Sequence, residues 1–299
     1  MKNLKNIFYN DNNQIRNGWW ILIFIALVAA TRPIYKPLKE GLTQLGFSEQ
    51  MLEPTSFFLL LLVTLICVKI RKESLSDVGF RLNQLWFKHF FAGTFIGITM
   101  MFATVALVCL VGGVTFELDP QRSLQVLSYG FYLFLIGSLF EEILHRGFIF
   151  QRLIDGIGIW GAQLLIASLF TLGHWGNPGM QGTTQIFSSI DLFLGSLILG
   201  FAYIKTRSLA LPIGIHLGWN WSQGNILGFG VTGHEQNGWF MPVFHGKEQW
   251  ITGGEFGPEA SIFSVVVSII ILVILLNFKG HSEKPKNLQL PKSKEPATT

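Results

Sequence analysis

The sequence predicts an all-α, polytopic transmembrane helix bundle with a polar cavity inside the membrane. Two features of composition favour this fold class: the chain is 49% hydrophobic and only 13% charged, and apolar segments recur along most of its 299 residues. Its mean hydropathy of +0.44 is too high for an ordinary soluble domain. Lipid is therefore the expected solvent for most of the chain.

Eight apolar segments are long enough, or nearly so, to cross a bilayer, which takes about 20 helical residues. Because Gly, Pro and polar residues separate them, we predict one span in each, at 18–34, 56–70, 90–114, 127–153, 159–174, 186–204, 209–229 and 260–277. The bundle is predicted to occupy 1–279, with a motif-bearing core at 127–228. A Gly-rich extramembrane loop at 230–258 and a disordered cytoplasmic tail at 280–299 complete the predicted organisation.

An even number of spans places both termini on the same side of the membrane. With both termini in the cytoplasm, 16 of the 22 Lys and Arg residues fall on the cytoplasmic side, five fall on the opposite side, and Arg146 lies within the fourth span. Short loops rich in Lys and Arg are retained in the cytoplasm, so this orientation is the predicted one. The basic residues form no long patch, and we expect contact with the lipid bilayer and not with nucleic acid.

The fourth apolar segment contains a cluster of ionisable residues, Glu141, Glu142, His145 and Arg146. Such residues are costly in a membrane helix, about 2.5 to 3.5 kcal/mol for a central Asp, Lys or Arg, and they usually mark function. Residues four apart share a helical face, so Glu142 is predicted to pair with Arg146. Glu141 shares its stripe with His145 and has no cation fixed beside it in its own helix. It is therefore the better candidate for a general base.

Two further apolar segments carry polar residues at helical spacing. Phe170 and His174 lie four apart in the fifth segment, and His216 and Asn220 lie four apart in the seventh. A lone histidine in an apolar helix is more often a hydrogen-bonded structural residue than a catalyst. Together with an unpaired glutamate on a neighbouring helix, however, these groups supply a base, a group that orients water, and donors for an oxyanion.

The three motifs resemble those of the CAAX-protease and bacteriocin-processing family of intramembrane glutamic endopeptidases, and within it the type II CAAX prenyl endopeptidases. EEILHR at 141–146 matches the EExxxR signature, FTLGH at 170–174 matches FxxxH, and HLGWN at 216–220 matches HxxxN, in the same order. The resemblance covers about a third of the chain, at 127–228. The other segments contribute only a compatible topology.

The resemblance implies a glutamate-type intramembrane endopeptidase that needs no cofactor. By this resemblance Glu141 activates water, His174 helps to hold that water, and His216 and Asn220 stabilise the tetrahedral oxyanion. Four residues are expected to support them: Glu142, Arg146, His145 and Phe170. The implied substrate is a membrane-associated protein or peptide, prenylated or unmodified, that is cleaved near its C-terminus.

Two other hypotheses stay open from the residues alone. The first is a metal-dependent membrane protease, since glutamates and histidines are metal ligands. HExxH is absent, however, and the Glu-x-x-His spacing of Glu142 and His145 has no second copy of the kind that di-iron bundles use. The second is a protein without enzymatic activity, such as a bacteriocin immunity factor or a scaffold, that retains polar groups for helix packing.

The candidate residues lie at different predicted depths in the membrane. With the rise of 1.5 Å per residue, Glu141 lies about 20 Å from the predicted inner end of its helix, His216 about 12 Å and His174 about 24 Å. Straight parallel helices would keep these side chains apart. An active site therefore requires tilted or staggered helices around a cavity.

Overall fold

The structure is a computed structural model that describes residues 6–10 and 14–278. The predicted cytoplasmic tail at 280–299 lies outside the described residues. The described chain is a helix bundle, and it confirms the predicted all-α membrane fold. It also contains a short two-stranded sheet that the apolar pattern does not predict.

The helices of the described chain are α1 (Asn17–Gln44), α2 (Glu49–Leu52), α3 (Thr55–Ile70), α4 (Gln84–Leu110), α5 (Leu124–Arg146), α6 (Phe148–Gly173), α7 (Gly182–Thr206), α8 (Ala210–Trp221), α9 (Gln249–Thr252) and α10 (Ile262–Asn277). The strands β1 (Val114–Leu118) and β2 (Phe240–Phe244) pair antiparallel, with Val114 opposite Phe244. A single π-helical turn follows α8 at Ser222–Ile226. Turns of 3₁₀ helix lie at Leu75–Val78, Gly254–Phe256 and Pro258–Ala260.

Short polar side chains cap the first turns of α4 and α5. The Ser123 hydroxyl accepts a hydrogen bond of 3.2 Å from the Val126 N–H at the start of α5. The Asn83 side chain accepts one of 2.8 Å from the Trp86 N–H at the start of α4. Each oxygen satisfies one backbone donor that has no partner within the helix.

Five helical segments of the described chain are long and apolar enough to cross a membrane, and the chain is an integral membrane protein. They are Asn17–Gln44, Glu49–Ile70, Gln84–Leu110, Leu124–Gly173 and Gly182–Thr206, and the shorter apolar helix α10 follows them. The predicted count of eight spans is therefore not confirmed. The cytoplasmic location of both termini, which was deduced from that count, stays a prediction.

The difference in span count has a local cause. The fourth and fifth predicted spans belong to one helical stretch, which turns sharply at Gly147 and bends at Gly158, where φ is 76°. The seventh predicted span, 209–229, forms only the 12-residue helix α8 before the π-helical turn. Hydropathy alone identifies an apolar run but does not show where its helix breaks.

Aromatic packing joins α1 to the start of α6. The Phe24 and Phe148 rings stack with their centroids 5.2 Å apart, and the Trp20 ring meets Phe148 edge-on at 6.1 Å. All three side chains are at most 5% exposed. This contact holds the segment after Gly147 against the bundle, and with it the end of α5.

Helices α4 and α8 touch backbone to backbone through two Gly-x-x-x-Gly patterns, formed by Gly93 and Gly97 in α4 and by Gly214 and Gly218 in α8. A Cβ atom at Gly97 would lie 2.1 Å from the Ile215 carbonyl oxygen, and one at Gly218 would lie 2.1 Å from the Thr94 oxygen. Only glycine permits so close an approach of two membrane helices. This contact fixes the position of α8, which carries His216 and Asn220.

The Gly-rich segment at 230–258 folds back onto the bundle. It contains β2 and α9, and its Val231 and Phe256 side chains are only 4% and 3% exposed. The Gly233 N–H donates a hydrogen bond of 3.1 Å to the Phe256 carbonyl oxygen, which closes the segment on itself. The segment therefore contributes to the protein interior, and its predicted location outside the membrane stays a prediction.

Candidate active site

The ionisable cluster lies in the last two turns of α5, because that helix ends at Arg146. Gly147 breaks the helix with ψ of −120°, and a Cβ atom there would lie 2.3 Å from the Ile143 carbonyl oxygen. The predicted span at 127–153 would have placed the cluster near the middle of a longer helix. The break instead places Glu141 five residues before a helix end.

Glu142 and Arg146 form the ion pair that their spacing predicts. Arg146 Nη1 lies 3.3 Å from Glu142 Oε1, and neither side chain is exposed. Arg146 Nη2 also donates to Ser196, at 3.0 Å to its carbonyl oxygen and 2.6 Å to its hydroxyl. The guanidinium group thus ties α5 to α7 and compensates the buried charge of Glu142.

His216 lies between the two glutamates of α5. Its Nδ1 atom is 3.0 Å from Glu142 Oε1, and its Nε2 atom is 3.9 Å from Glu141 Oε2. No hydrogen-bond partner reaches Glu141 Oε2 among the described residues. The bridging position of His216 does not follow from the sequence, which pairs Glu142 with Arg146 alone.

The Phe170 ring forms the contact surface between three histidines. Ring centroids lie 4.7 Å apart for His174, 5.3 Å for His145 and 6.5 Å for His216. The Arg146 guanidinium carbon lies 5.2 Å from the same ring centroid, within the range of a cation–π contact. Phe170 therefore joins the end of α6 to the clusters on α5 and α8.

Two of these imidazoles are oriented by backbone oxygens of their own helices. His174 Nδ1 lies 2.8 Å from the Phe170 carbonyl oxygen, and His145 Nδ1 lies 2.9 Å from the Glu141 carbonyl oxygen. His174 follows directly after α6, where the helix ends. A hydrogen bond to Nδ1 determines which tautomer leaves Nε2 free, so each ring is presented in a defined orientation.

A cavity of about 110 Å³ brings the four residues that were predicted to be catalytic to one place. Glu141, His174, His216 and Asn220 all line it. One water needs about 10 to 15 Å³ of such volume, so the cavity has room for several. The predicted difference in depth therefore does not keep these four side chains apart.

Two carboxylates that the sequence interpretation missed, Asp191 in α7 and Glu259 just before α10, line the same cavity. Asp191 is 6% exposed and Glu259 is 3% exposed. Burial, and secondarily the nearby Asp191 carboxylate, raise the pKa of Glu259 to about 8. Asp191 is an ionisable residue within the sixth apolar segment. Such residues are costly in a membrane helix and usually mark function, so the signal that identified the α5 cluster also applies to Asp191. Glu259 lies outside the helices and carries no such signal.

Residues 6–10 and 14–278 contain several glutamates and histidines, which are potential metal ligands. No group of three or more His, Cys, Asp or Glu side chains there is arranged to hold a metal ion. Glu142, a candidate ligand from its spacing to His145, instead contacts Arg146 and His216. The part of the chain that the structure describes therefore contains no ligand cluster of the kind that a metal-dependent protease requires.

The motif-bearing segment is similar to one known protein family. No curated protein and no solved structure matches the chain. Residues 123–222, about a third of the chain, match the family model of the type II CAAX prenyl endopeptidase Rce1-like proteins. At the level of the family, this match supports an intramembrane protease of the CAAX type that acts on a membrane-associated protein. The segment with the three motifs is thus similar to the Rce1-like proteins, and this match confirms the resemblance predicted from the sequence.

Proposed function

We propose that this chain is an intramembrane endopeptidase in which Glu141 activates the water that attacks a peptide bond. The observation that carries the proposal is the convergence of Glu141, His174, His216 and Asn220 on one cavity. A base, two imidazoles and an amide from three separate helices meet there. Because the Glu141 side chain lines this cavity and is 33% exposed, its carboxylate can accept a hydrogen bond from water.

Glu142 and Arg146 have a different role from Glu141. Arg146 compensates the charge of Glu142, and Glu142 in turn holds Nδ1 of His216. The Nε2 atom of His216 then faces Glu141 across 3.9 Å, which is too long for a direct hydrogen bond. A water or a substrate atom between these two groups would contact both of them.

The remaining two residues complete the chemistry of peptide hydrolysis. In the proposed mechanism His174 helps to hold the attacking water beside Glu141. Asn220 and His216 donate hydrogen bonds to the oxyanion that forms as the carbonyl carbon becomes tetrahedral. Glu141 then passes the abstracted proton to the leaving amine, so its two steps are those of a general base and a general acid.

The proposed substrate is a membrane-associated protein or peptide that is cleaved near its C-terminus. The Rce1-like match supports a membrane-associated protein substrate in the lipid bilayer. The matched family is described as prenyl endopeptidases. A prenylated C-terminal peptide is therefore the first substrate to test, with unmodified peptides of the same sequence beside it.

The test uses purified protein reconstituted in lipid vesicles. Cleavage of both peptide sets is followed by mass spectrometry for the wild type and for Glu141→Gln, each with and without a chelator. The proposal predicts chelator-resistant cleavage that is about 10²- to 10⁴-fold slower in Glu141→Gln, the usual contribution of a general base. Glu117→Gln, an exposed residue of β1, is the matched control.

Three results would contradict the proposal, each in a different way. Equal cleavage by Glu141→Gln would remove Glu141 as the base. Cleavage that the chelator abolishes would favour a metal-dependent protease. The absence of any cleavage, with both proteins folded, would favour an immunity factor or scaffold in which the buried network of Glu142 and Arg146 serves helix packing alone.

A further inference from the structure

Glu259 is a buried acidic residue that the three motifs do not include. It lies in the 3₁₀ turn Pro258–Ala260, beyond the residues that match the family model, yet it lines the same cavity as Glu141. A buried carboxyl group is costly unless hydrogen bonds satisfy it. The groups that satisfy Glu259 therefore indicate why a glutamate is present at this position.

Three donors from two other segments of the chain lie near the Glu259 carboxyl group. The backbone N–H of Thr232 donates to Oε1. Two side-chain donors lie nearby, Trp219 in the same cavity and Gln223 against Gly257, and both oppose the effect of burial on the pKa of Glu259. Glu259 thus links the segment before α10, the segment after the π-helical turn and the C-terminal end of α8.

The two side-chain donors lie on either side of Asn220 along the chain. Trp219 precedes Asn220 by one residue, and Gln223 follows it within the π-helical turn. A π-helical turn interrupts the regular hydrogen bonding of an α-helix and often occurs at functional sites. The orientation of Asn220 at this irregular helix end therefore depends on contacts from outside the helix.

The backbone around these contacts is packed too closely for any side chain. Gln223 Nε2 donates a hydrogen bond of 2.6 Å to the Gly230 carbonyl oxygen. A Cβ atom at Gly257 would lie 2.3 Å from that oxygen and 2.4 Å from Gln223 Nε2, and Gly257 has φ of 117°. Glycine is required at this position, and it allows the segment that carries Glu259 to reach the end of α8.

Asp191 fixes the helix that follows Glu259. Its Oδ1 atom accepts hydrogen bonds from the hydroxyl groups of Ser264 and Ser268, the latter at 2.9 Å. Ser264 and Ser268 are one turn apart on α10, so this carboxylate ties α7 to the first turns of α10. The helix that follows Glu259 is thereby fixed to α7, and the Thr232 N–H holds the Glu259 carboxyl group itself.

We propose that Glu259 is a positioning residue for Asn220, and that it acts by holding Trp219 and Gln223 on either side of that asparagine. This inference rests on the proposed peptidase function, because Asn220 has a chemical task only if an oxyanion forms. Glu259 itself need not touch the substrate. Its required property is a hydrogen-bond acceptor of the correct length, which Gln retains and Leu lacks.

The experiment measures kcat and KM for peptide cleavage by the full chain in vesicles. Glu259→Leu is expected to lower kcat about 10- to 100-fold with little change in KM, because small displacements of an active-site group have costs of this order. Glu259→Gln should restore kcat to within about threefold of the wild type, since the amide has the size of the carboxyl group and keeps one acceptor oxygen. Glu255→Leu, an exposed position in the preceding turn, is the matched control.

A double-mutant cycle with Asn220→Ala distinguishes positioning from a general effect on folding. If Glu259 acts through Asn220, Glu259→Leu should cause almost no further loss of kcat in the Asn220→Ala background. Trp219→Phe removes the indole N–H donor and keeps an aromatic ring, so it tests the same link from the Trp219 side. This variant replaces Glu259→Leu in the cycle if Glu259→Leu does not fold.

The outcomes separate this inference from the proposed function. Multiplicative losses of kcat in both cycles, or a failure of Glu259→Gln to restore activity, would overturn the positioning role while leaving the peptidase intact. A wild-type protein that cleaves no peptide would overturn the proposed function, and the positioning role with it.

Discussion

His216 places its Nε2 atom 3.9 Å from Oε2 of Glu141. The opposite nitrogen of the ring is held by Glu142, whose charge Arg146 compensates. One glutamate of the pair is therefore committed to orienting an imidazole, and the other is left facing the cavity. Adjacent residues on one helix thus have different surroundings, because only one of them pairs with the buried arginine.

Replacing Asn220 with Ala should lower kcat about 10²- to 10³-fold while KM changes little, because an oxyanion donor acts mainly in the transition state. Steady-state kinetics on a peptide that the wild type cleaves provide the measurement. Asn277→Ala, at the exposed end of α10, is the control and should behave as the wild type. A comparable rise in KM with an unchanged kcat would instead indicate that Asn220 binds the ground state of the substrate.

Replacing Arg146 with Met should lower the free energy of unfolding by about 3 to 5 kcal/mol, because it leaves the buried charge of Glu142 without compensation. Denaturant titration in mild detergent measures this loss. The double variant Glu142→Gln with Arg146→Met should be less destabilised than Arg146→Met alone. Lys36→Met is the control, since its pair with Glu40 has the same i,i+4 spacing but is exposed on both sides. A double variant that is no more stable than Arg146→Met would argue against charge compensation.

Replacing Gly97 with Ala should reduce stability and activity together, because the added Cβ atom would lie 2.1 Å from the Ile215 carbonyl oxygen. Overpacking of this kind typically costs about 1 to 3 kcal/mol. The displaced helix is α8, so peptide cleavage should fall more than stability alone explains. Gly137→Ala is the control, as its Cβ atom would meet nothing within 4 Å. Wild-type cleavage by Gly97→Ala would show that α8 tolerates the shift.

Replacing Phe170 with Ala should lower the free energy of unfolding by about 3 to 5 kcal/mol, as expected for a buried aromatic ring. The loss of the ring also frees the His174 imidazole, so cleavage by the fraction that remains folded should fall as well. Phe58→Ala is the control, because Phe58 is 59% exposed and its removal leaves no internal cavity. Thermal unfolding and kinetics on the same preparations separate the two effects, and an unchanged kcat would exclude an orienting role for the ring.

Several features of the site follow from the sequence because they are local. The pairing of Glu142 with Arg146 needs only the geometry of one helical turn, and the structure confirms it at 3.3 Å. The three motifs also contain the four residues predicted to be catalytic, all of which line the cavity, although their catalytic roles stay predictions. Helix breaks are harder to predict from the sequence. The turn at Gly147 depends on close backbone contacts, and no Pro or Gly-rich stretch marks it.

What the sequence alone determined is therefore the solvent, the fold class and the chemical groups, since composition and helical spacing are properties of short stretches of chain. The tertiary structure decided which groups meet. His216 lies between two glutamates because glycines let α4 and α8 approach closely, and Glu259 reaches the cavity because the segment before α10 folds inward. Such contacts join residues far apart in sequence, and the period of a single helix contains no information about the neighbour against which it packs.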